Sequence, residues 1–309
     1  MPELPEVEIV RTQLAAHLTG AWFESSRVYA PSSVIVGGTR LRGATPEDSA
    51  LRIDEAVRNR TLASVRRKGK LLVLDFGGPA LLCHLKMTGQ ILLYEWGGIA
   101  RGAGAGAGKQ EGDAPGPHTR LDLWFRTERA RVLLRFNDAR RFGYVSVMRS
   151  REDVEAELAR LGVDALEEGV GGALRRACAR RRAPIKSLLL DQSVIAGIGN
   201  AYADEALHRA AIHPAQPADT LSSRQIARLA DAIHDVLAEG IAAGGLSIRT
   251  YVDAHGNAGG FQHRLRVYGR DGERCVTCGG AIERLRIGGR SSWYCSTCQK
   301  RRGRRGRGR

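Results

Sequence analysis

Four cysteines in the last part of the sequence have the spacing of a metal site. Cys275 and Cys278 form one C-x2-C pair, and 16 residues separate it from a second pair, Cys295 and Cys298. Each pair lets one tight turn direct two thiolates at the same ion, and two such turns complete a tetrahedral zinc site. Four thiolates leave no open position for a catalytic water, so the predicted role of the zinc is structural. Disulfides or a redox pair are the alternative interpretations of this spacing.

A second group of reactive residues begins the sequence. Removal of Met1 makes the secondary amine of Pro2 the first atom of the chain. An α-amino group has a pKa near ~8, below the ~10.4 of lysine, so more of it is nucleophilic at neutral pH. Its attack on a sugar C1′ gives an iminium, and Glu3 and Glu6 are close enough in sequence to move protons. From these residues alone, an ordinary helix start with acidic residues favoured by the dipole is the better-supported interpretation.

The charge of the chain is strongly positive. Its 309 residues include 48 Lys and Arg against 33 Asp and Glu, a formal net charge of +15 at pH 7. This balance predicts nucleic acid as the leading partner and an anionic membrane surface as the second. Hydrophobic residues at 43% exclude global disorder, and no apolar stretch reaches the ~18 residues of a membrane span. The acidic start does not have the pattern of a signal peptide, so the expected location is the cytoplasm.

The first half of the chain is predicted to be a helix followed by a β domain. Val7, Val10, Leu14 and Leu18 recur at helical spacing and indicate a helix over residues 5–18. Short β runs without intervening helices follow over 21–148, which indicates a β-sandwich or barrel. Residues 96–118 are rich in Gly and Ala and have no apolar periodicity, so we expect a flexible insertion between two strands.

The pattern becomes helical beyond residue 151 and ends in the cysteine-rich segment. The clearest helix spans 222–243, with Ile226, Leu229 and Ile233 on one face and a capping-box spacing between Ser222 and Gln225. The predicted fold is α+β, with an N-terminal helix plus β-sandwich domain over 1–150. A helical domain follows over 151–262, then a zinc-ribbon finger over 263–300 and a basic, disordered tail over 301–309.

The start Met1-Pro-Glu-Leu-Pro-Glu-Val-Glu8, taken together with the cysteine pairs, resembles formamidopyrimidine-DNA glycosylase, the bacterial family that removes oxidised purines. Six motifs follow the family's order over nearly the whole chain, apart from the insertion and the tail. The resemblance implies that the amine of Pro2 attacks C1′ of the damaged nucleotide. It further implies that Glu3 is the acid that assists sugar-ring opening and base loss, and that Glu6 is a second acidic group near the site.

Four positions of the β domain also match the family pattern. Lys70, in Arg67-Lys-Gly-Lys70, resembles the lysine that contacts a DNA phosphate at the catalytic site. Met87, Arg140 and Phe142 resemble the residues that fill the space left by a flipped base, with Arg140 on the orphaned cytosine and Phe142 as a wedge. Side chains in this space are needed because they offset the free-energy cost of unstacking the flipped base from its neighbours. The family usually has proline where this chain has Ala139, a change expected to loosen the loop.

The helical part resembles the family's helix–two turns–helix element, over 185–191 and 195–205. The resemblance implies that Lys186 and Asn200 contact the DNA backbone beside the lesion and that Arg290, in the zinc hairpin, holds the flanking phosphates. Residues 244–261 match a lesion-capping loop, and their glycines predict a lid that orders on binding. The family usually has glutamine where this chain has Gly289.

The resemblance implies a bifunctional DNA glycosylase and abasic-site lyase that acts on 8-oxoguanine and formamidopyrimidines in duplex DNA through a Schiff base at Pro2 and β,δ-elimination. One structural Zn²⁺ is the expected cofactor. The expected partner is duplex DNA with oxidised purines or abasic sites; no membrane or obligate protein partner is expected, and the predicted state is a monomer in the cytoplasm, at the nucleoid. Two alternatives are an endonuclease VIII-like glycosylase for oxidised pyrimidines and a non-catalytic zinc-ribbon protein that binds damaged DNA.

Overall fold

A computed structural model of the chain describes residues 1–96, 114–248 and 250–301. The chain packs as two units, Met1–Ala159 with Ala243–Gly260, and Arg160–Ala242 with the residues from Phe261 onward. The domain boundaries drawn from composition stay predictions. Most of the predicted insertion (97–113) and nearly all of the basic tail (302–309) lie outside the described residues. None of the described helices is both long and apolar enough to cross a membrane.

The first unit contains three α-helices and ten strands among its described residues. The helices are α1 (Leu4–Leu18), α2 (Pro46–Val57) and α3 (Arg151–Leu158). The strands are β1 (Trp22–Val28), β2 (Val34–Val36), β3 (Thr39–Arg40), β4 (Ser64–Lys68), β5 (Leu71–Asp75), β6 (Ala80–His84), β7 (Gly89–Trp96), β8 (Thr119–Arg126), β9 (Arg131–Asp138) and β10 (Tyr144–Met148).

The strands form two sheets around one hydrophobic core. One sheet has the order β1-β8-β9-β7 and the other β3-β2-β10-β6-β5-β4. Phe23 and Phe125 from the first sheet and Leu72 and Leu74 from the second belong to the same buried cluster. The α+β class and the β-sandwich are therefore confirmed.

The register of the strands brings three turns to one end of the sandwich. His84, the last residue of β6, pairs with Leu71 at the start of β5 and with Tyr144 at the start of β10. In the other sheet, Gly89 at the start of β7 pairs with Asp138 at the end of β9. The turn before β5, the loop from β6 to β7 and the loop from β9 to β10 consequently lie side by side.

Helix α1 packs on β4 and β5. Its apolar residues at helical spacing belong to the core of the sandwich, Pro5 occupies the first turn, and Gly20 takes a left-handed conformation (φ +83°) just beyond the end. Leu72 and Leu74 of β5 belong to the same core, and Val73, on the opposite face of the strand, is fully buried as well. Strand β5 is thus buried on both faces, which explains its uninterrupted apolar run.

The expectation of a β domain without an intervening helix was wrong, because α2 lies between β3 and β4. Its start signals are local: Oγ1 of Thr45 accepts a hydrogen bond from the backbone N of Asp48 at 3.0 Å, and Pro46 opens the helix. Only Ile53 and Val57 supply large buried apolar side chains, a face too narrow to stand out as periodicity.

The second unit combines helices with two short sheets. Its described elements are α4 (Val170–Arg180), α5 (Ile185–Leu189), α6 (Asn200–Arg209), α7 (Ser223–Ala242), β11 (Val163–Asp164), β12 (Ile195–Ala196), β13 (Ile282–Ile287) and β14 (Arg290–Cys295). The predicted capping box at the start of α7 is present, since Ser222 and Gln225 exchange hydrogen bonds of 3.0 and 3.3 Å. Gly240 lets the ring of Tyr202 pack against α7, because a Cβ there would lie 2.6 Å from that ring.

Candidate functional site

The predicted nucleophile and its acidic neighbours lie at the N-terminal end of α1. Pro2, Glu3 and Glu6 are all buried. Oε2 of Glu6 accepts a hydrogen bond from the backbone N of Glu3 at 2.7 Å, and Oε1 accepts one from the backbone N of Leu246 at 2.7 Å. Both oxygens of the Glu6 carboxylate therefore accept backbone N–H groups, which fixes the carboxylate one turn from Pro2.

Lys70 lies in the β4–β5 turn, which is attached to α1. Nε of Arg67 donates to Glu8 at 2.8 Å and its Nη1 donates to the carbonyl of Gly69 at 3.0 Å. Gly69 has a φ of +58°, a conformation that favours glycine in this turn. The Arg67–Glu8 ion pair thus holds the buried Lys70 at a defined place beside the helix.

His84 lies where Lys70 and the following loop meet. Burial, together with the positive charges of Lys86 and Lys70, lowers the pKa of His84 to about 3. The imidazole is neutral at pH 7, and its Nδ1 accepts a hydrogen bond from the backbone N of Lys86 at 3.0 Å. The neutral ring fixes the loop that leads to Met87.

Met87, Arg140 and Phe142 project from the two loops that leave this end of the sandwich. Met87 is 37% exposed and Phe142 is 49% exposed, although apolar side chains of this size are usually buried. The guanidinium of Arg140 lies 4.8 Å from the centre of the Phe142 ring. The residues just before the two apolar side chains, Lys86 and Arg141, have φ values of 52° and 58°, a strained conformation that turns each loop outward.

Asp138 connects these two loops. Its side chain is fully buried and accepts hydrogen bonds from the backbone N of Gly143 at 2.7 Å, from that of Arg140 at 3.2 Å, and from Oγ1 of Thr88. A further bond, 2.8 Å long, runs from Nη2 of Arg40 to the carbonyl of Phe142. One carboxylate therefore positions all three predicted void-filling side chains.

In the second unit, Lys186 is fully buried and ion-paired. Its Nζ lies 2.8 Å from Asp204 and 3.0 Å from the carbonyl of Ser291. Burial of the Asp204 carboxyl raises its pKa to about 6, because this effect is larger than the lowering of the pKa by the positive charge of Lys186. Because the Lys186 side chain is completely buried, its predicted contact with DNA stays a prediction that requires a rearrangement exposing the ammonium.

Asn200 opens α6 immediately after the two turns. Its Nδ2 donates to the carbonyl of Ser291 at 3.0 Å, whereas its buried Oδ1 accepts no hydrogen bond within the described part of the chain. The turns themselves are held by Gln192, which donates to the carbonyl of Ile198 at 2.9 Å and accepts from the backbone N of Gly197 at 2.8 Å. Gln192 had no recognisable signal in the sequence.

Arg290 is exposed and follows a two-residue turn between β13 and β14. Ile287 and Arg290 pair across the hairpin, and the turn residues Gly288 and Gly289 have φ values of 54° and 78°. Two positive φ values define the type I′ turn that matches the twist of a hairpin. Gly289 therefore fits the backbone conformation here, although it departs from the glutamine of the family pattern.

The four cysteines meet as predicted. Their Sγ atoms all lie within 4.8 Å of one another, with 4.0 Å between Cys275 and Cys298 and 3.5 Å between Cys278 and Cys295. A tetrahedral site with Zn–S bonds of ~2.3 Å requires sulfur separations of about 3.8 Å, so the cluster fits one zinc ion. No disulfide links the described cysteines.

Three family models match successive parts of the chain. The formamidopyrimidine-DNA glycosylase N-terminal domain matches residues 1–145, the H2TH domain of the same family matches 161–252, and the zinc finger found in FPG and IleRS matches 272–301. The formamidopyrimidine-DNA glycosylase of Desulfitobacterium hafniense is 39% identical over 282 residues, which cover 90% of this chain and 92% of the relative. The chain belongs to the formamidopyrimidine-DNA glycosylase family.

This chain is also similar to other members of the family. The enzyme of Methylococcus capsulatus is 38% identical over 280 residues, covering 90% of this chain and 92% of the relative. Lactococcus lactis Fpg in complex with DNA containing an abasic site is 28% identical, with a TM-score of 0.78, and the match covers 97% of this chain and 100% of that one. A mutant of the same protein bound to DNA with Fapy-dG has a TM-score of 0.79 at 29% identity, with the same coverage.

The structure brings several of the predicted site residues together within the first unit. Pro2, Glu3 and Glu6 lie together on α1, and the void fillers share one end of the sandwich. Sequence reasoning missed the residues that hold these groups, because a motif does not show which of its members point inward and several of the partners are far away in the chain. They are Gln13, Arg40, Asp138, Gln192, Asp204, Glu205 and His208.

Proposed function

We propose that this chain removes oxidised purines from duplex DNA as a bifunctional glycosylase and abasic-site lyase. The observation that carries the proposal is the burial of Glu3 and Glu6 directly after Pro2, in a chain of the formamidopyrimidine-DNA glycosylase family. Glu3 and Glu6 also form the reciprocal capping box that begins α1, so it is the family position of these residues next to Pro2 that gives their burial a catalytic meaning. Burying an acidic side chain is costly unless its hydrogen bonds are satisfied, and Glu6 meets that condition with two backbone N–H groups.

In the proposed reaction, Pro2 lacks the preceding Met1 and its neutral amine attacks C1′ of the damaged nucleotide. Glu3 donates the proton that assists opening of the sugar ring and departure of the base, which leaves an iminium between Pro2 and C1′. Loss of a proton from C2′ then expels the 3′ phosphate, and loss of a proton from C4′ expels the 5′ phosphate. Hydrolysis of the remaining iminium by water frees Pro2 and the unsaturated sugar fragment. The product is a one-nucleotide gap with phosphates at both ends, and zinc takes no part in these steps.

We assign the DNA contacts by unit. In the first unit, Lys70 binds a phosphate, while Met87, Arg140 and Phe142 fill the space of the flipped nucleotide. The exposure of Met87 and Phe142 supports this assignment, since exposed apolar side chains can enter a base stack.

In the second unit, Arg290 at the tip of the zinc hairpin binds phosphates, and Asn200 binds the backbone at the start of α6. Lys186 takes part directly only if its buried ammonium becomes exposed. We further propose that the enzyme acts as a monomer on chromosomal DNA in the cytoplasm, at the nucleoid.

Borohydride trapping on a duplex with 8-oxoguanine opposite cytosine tests the proposal. We expect reduction to join protein and DNA covalently and mass spectrometry to place the adduct on Pro2 in chains that lack Met1. Pro2→Gly should reduce trapping and strand cleavage by at least about 100-fold. Full cleavage and trapping by Pro2→Gly, or an adduct on a lysine, would contradict the assignment of the nucleophile.

The choice of base needs a separate comparison. A wild-type Lactococcus lactis Fpg has also been solved with DNA containing an oxidised pyrimidine. We expect faster release of 8-oxoguanine opposite cytosine than of thymine glycol in a matched duplex. The reverse order would favour the endonuclease VIII-like alternative, and tight binding of abasic DNA without strand cleavage would favour the non-catalytic one.

A further inference from the structure

The segment 243–260 packs with the N-terminal unit, at a distance of about 240 positions in the chain from the helix that it contacts. Three side chains of α1 make these contacts: Glu6, Gln13 and His17. They are spaced i, i+7 and i+11, which places them on one face of a helix. We call Glu6, Gln13 and His17 the docking face of α1.

Gln13 makes the most specific of these contacts. Its Nε2 donates to Oδ2 of Asp253 at 2.9 Å, and its Oε1 accepts from the backbone N of Ala254 at 2.8 Å. Both ends of one amide therefore bond to adjacent residues of the segment. The ring of His17 contacts His255 with 5.0 Å between ring centres.

Strand β7 also bonds to the 243–260 segment. The backbone N of Leu93 donates to the carbonyl of Ala254 at 2.8 Å, and Nε2 of Gln90 donates to the carbonyl of Thr250. Ala254 is fully buried and Tyr251 is 6% exposed, and both belong to the core of the sandwich. The segment is therefore anchored in the core at Tyr251 and Ala254.

The other end of the segment meets Glu6. Leu246 donates its backbone N–H to Oε1 of Glu6, whose second oxygen accepts from Glu3. Gly245 permits this approach, since a Cβ there would lie 2.8 Å from the Tyr251 ring and 3.1 Å from Cγ of Glu6. The position of the segment is thus coupled to the backbone of the residue that follows Pro2.

We propose that Gln13 and Asp253 are positioning residues that dock the 243–260 segment on α1, against Glu6, for release of the damaged base. The inference rests on the proposed function. Only six positions separate the contact with Glu6 from the hydrogen bonds of Gln13 to Asp253 and Ala254. Loss of these bonds therefore weakens the hold on the part of the segment that meets Glu6, near Ile248, which is 54% exposed. A preformed abasic site has no base for the 243–260 segment to contact. Strand cleavage at an abasic site therefore depends much less on the hydrogen bonds of Gln13 to Asp253 and Ala254.

The test measures two substrates, DNA with 8-oxoguanine and DNA with a preformed abasic site. It uses variants that remove the hydrogen bond between positions 13 and 253 or exchange its donor and acceptor. Gln13→Leu removes both hydrogen bonds, and Gln13→Glu places a carboxylate against Asp253. The double variant Gln13→Glu/Asp253→Asn restores the pair with donor and acceptor exchanged, because the new amide at position 253 can donate to the new carboxylate at position 13. Thr12→Ala, on the exposed side of the same helix, is the matched control.

We expect Gln13→Leu and Gln13→Glu to slow single-turnover release of 8-oxoguanine by about three- to tenfold, with strand cleavage at a preformed abasic site within about twofold of wild type. The double variant should recover most of the loss, and Thr12→Ala should match wild type on both substrates. Hydrogen exchange at the amide of Ala254 should be faster in Gln13→Leu than in Thr12→Ala.

Equal losses on both substrates would show that Gln13 only stabilises the fold, and an unchanged rate of base release would also overturn the inference. Failure of the proposed function has a different signature, since the wild-type enzyme would then leave both substrates intact.

Discussion

At the scale of single residues, the side chains that we propose for DNA contact are held in place by buried polar groups. Asp138 is the clearest case: it is fully buried and accepts hydrogen bonds from both loops that carry the void fillers. Its motif partners Arg140 and Phe142 reach outward, whereas Asp138 turns inward. A motif in the sequence does not distinguish these two roles.

Asp138→Asn should therefore affect stability and base release together. The new amide has an NH2 in place of one carboxylate oxygen, so it can accept the N–H of Gly143 or that of Arg140 but not both, and a buried donor left unpaired costs about 1–3 kcal/mol. We expect that loss in the free energy of unfolding in urea, together with slower single-turnover release of 8-oxoguanine. Asp75→Asn, in a turn at the other end of β5, is the control and should preserve the rate of base release; an equal loss of rate in both variants would contradict a specific role of Asp138.

The lowered pKa of His84 predicts a pH dependence of stability. Below pH ~6.5 the unfolded chain binds a proton at this histidine, whereas the folded protein, with a pKa of about 3, does not. The contribution of the neutral ring is complete above pH ~6.5 and is lost as the pH falls toward 3, by about 2 kcal/mol at pH 5. His84→Asn keeps an acceptor for Lys86 but does not titrate, so its free energy of unfolding should fall less between pH 7 and pH 5; parallel profiles for the two proteins would refute this explanation.

At the scale of elements, α6 organises the zinc module. Its residues Asn200, Asp204, Glu205 and His208 all bond toward the second half of the unit. Asp204 accepts from Oγ of Ser292 at 2.7 Å and from the backbone N of Trp293 at 3.1 Å. Glu205 accepts the backbone N–H groups of three successive residues, 266 to 268, at 2.9–3.0 Å. The helix that begins at Asn200 therefore also fixes the hairpin that carries Arg290.

His208 extends this organisation to the metal ligands. It is 5% exposed, its Nε2 lies 3.5 Å from Sγ of Cys275, and it is not part of the four-cysteine cluster. An N–H donated to a zinc-bound thiolate stabilises the charge on sulfur, and loss of such outer contacts typically costs 10–100-fold in metal affinity.

His208→Phe, which keeps a ring of similar size but no N–H, should thus release zinc to a chelator about tenfold faster than wild type. A colorimetric chelator assay measures the release. His234→Phe, an exposed position on α7, should behave as wild type. Identical release from wild type and His208→Phe would show that the contact with Cys275 does not stabilise the site.

At the scale of the whole molecule, the net charge of +15 comes partly from basic residues in the folded domains and partly from the basic tail. Lys70 and Arg290 lie at defined sites in the fold, whereas most of the basic tail lies outside the described residues. Truncation after Lys300 removes six arginines. Because each neutralised phosphate contributes ~0.9 to the salt dependence of binding, the slope should become shallower by up to about 5.

The same truncation should preserve the ratio of affinities for damaged and undamaged duplexes. Sequence-independent phosphate contacts add equally to both. Measuring the affinity for each duplex at several salt concentrations separates the two effects. A change in lesion preference without a change in salt slope would contradict the proposed role of the tail.

Much of this molecule follows from local sequence. Helix α1, the strands of the sandwich and the Ser222 capping box were predicted because periodicity and caps involve residues only a few positions apart. Helix α2 was missed although its cap is local, because its buried face is narrow. The four zinc ligands were also predicted, since each C-x2-C pair forms within one turn.

The sequence by itself therefore determined the four zinc ligands and, through the family resemblance, the residues that we propose for the chemistry: the amine at Pro2, its acidic neighbours and the void fillers. Only the tertiary structure decided how they are held. The burial of Lys186 against Asp204, the contacts of Asp138 and the docking of residues 243–260 on α1 each join residues from separate motifs or distant parts of the chain. Such pairings depend on strand register and helix packing, which no local spacing encodes.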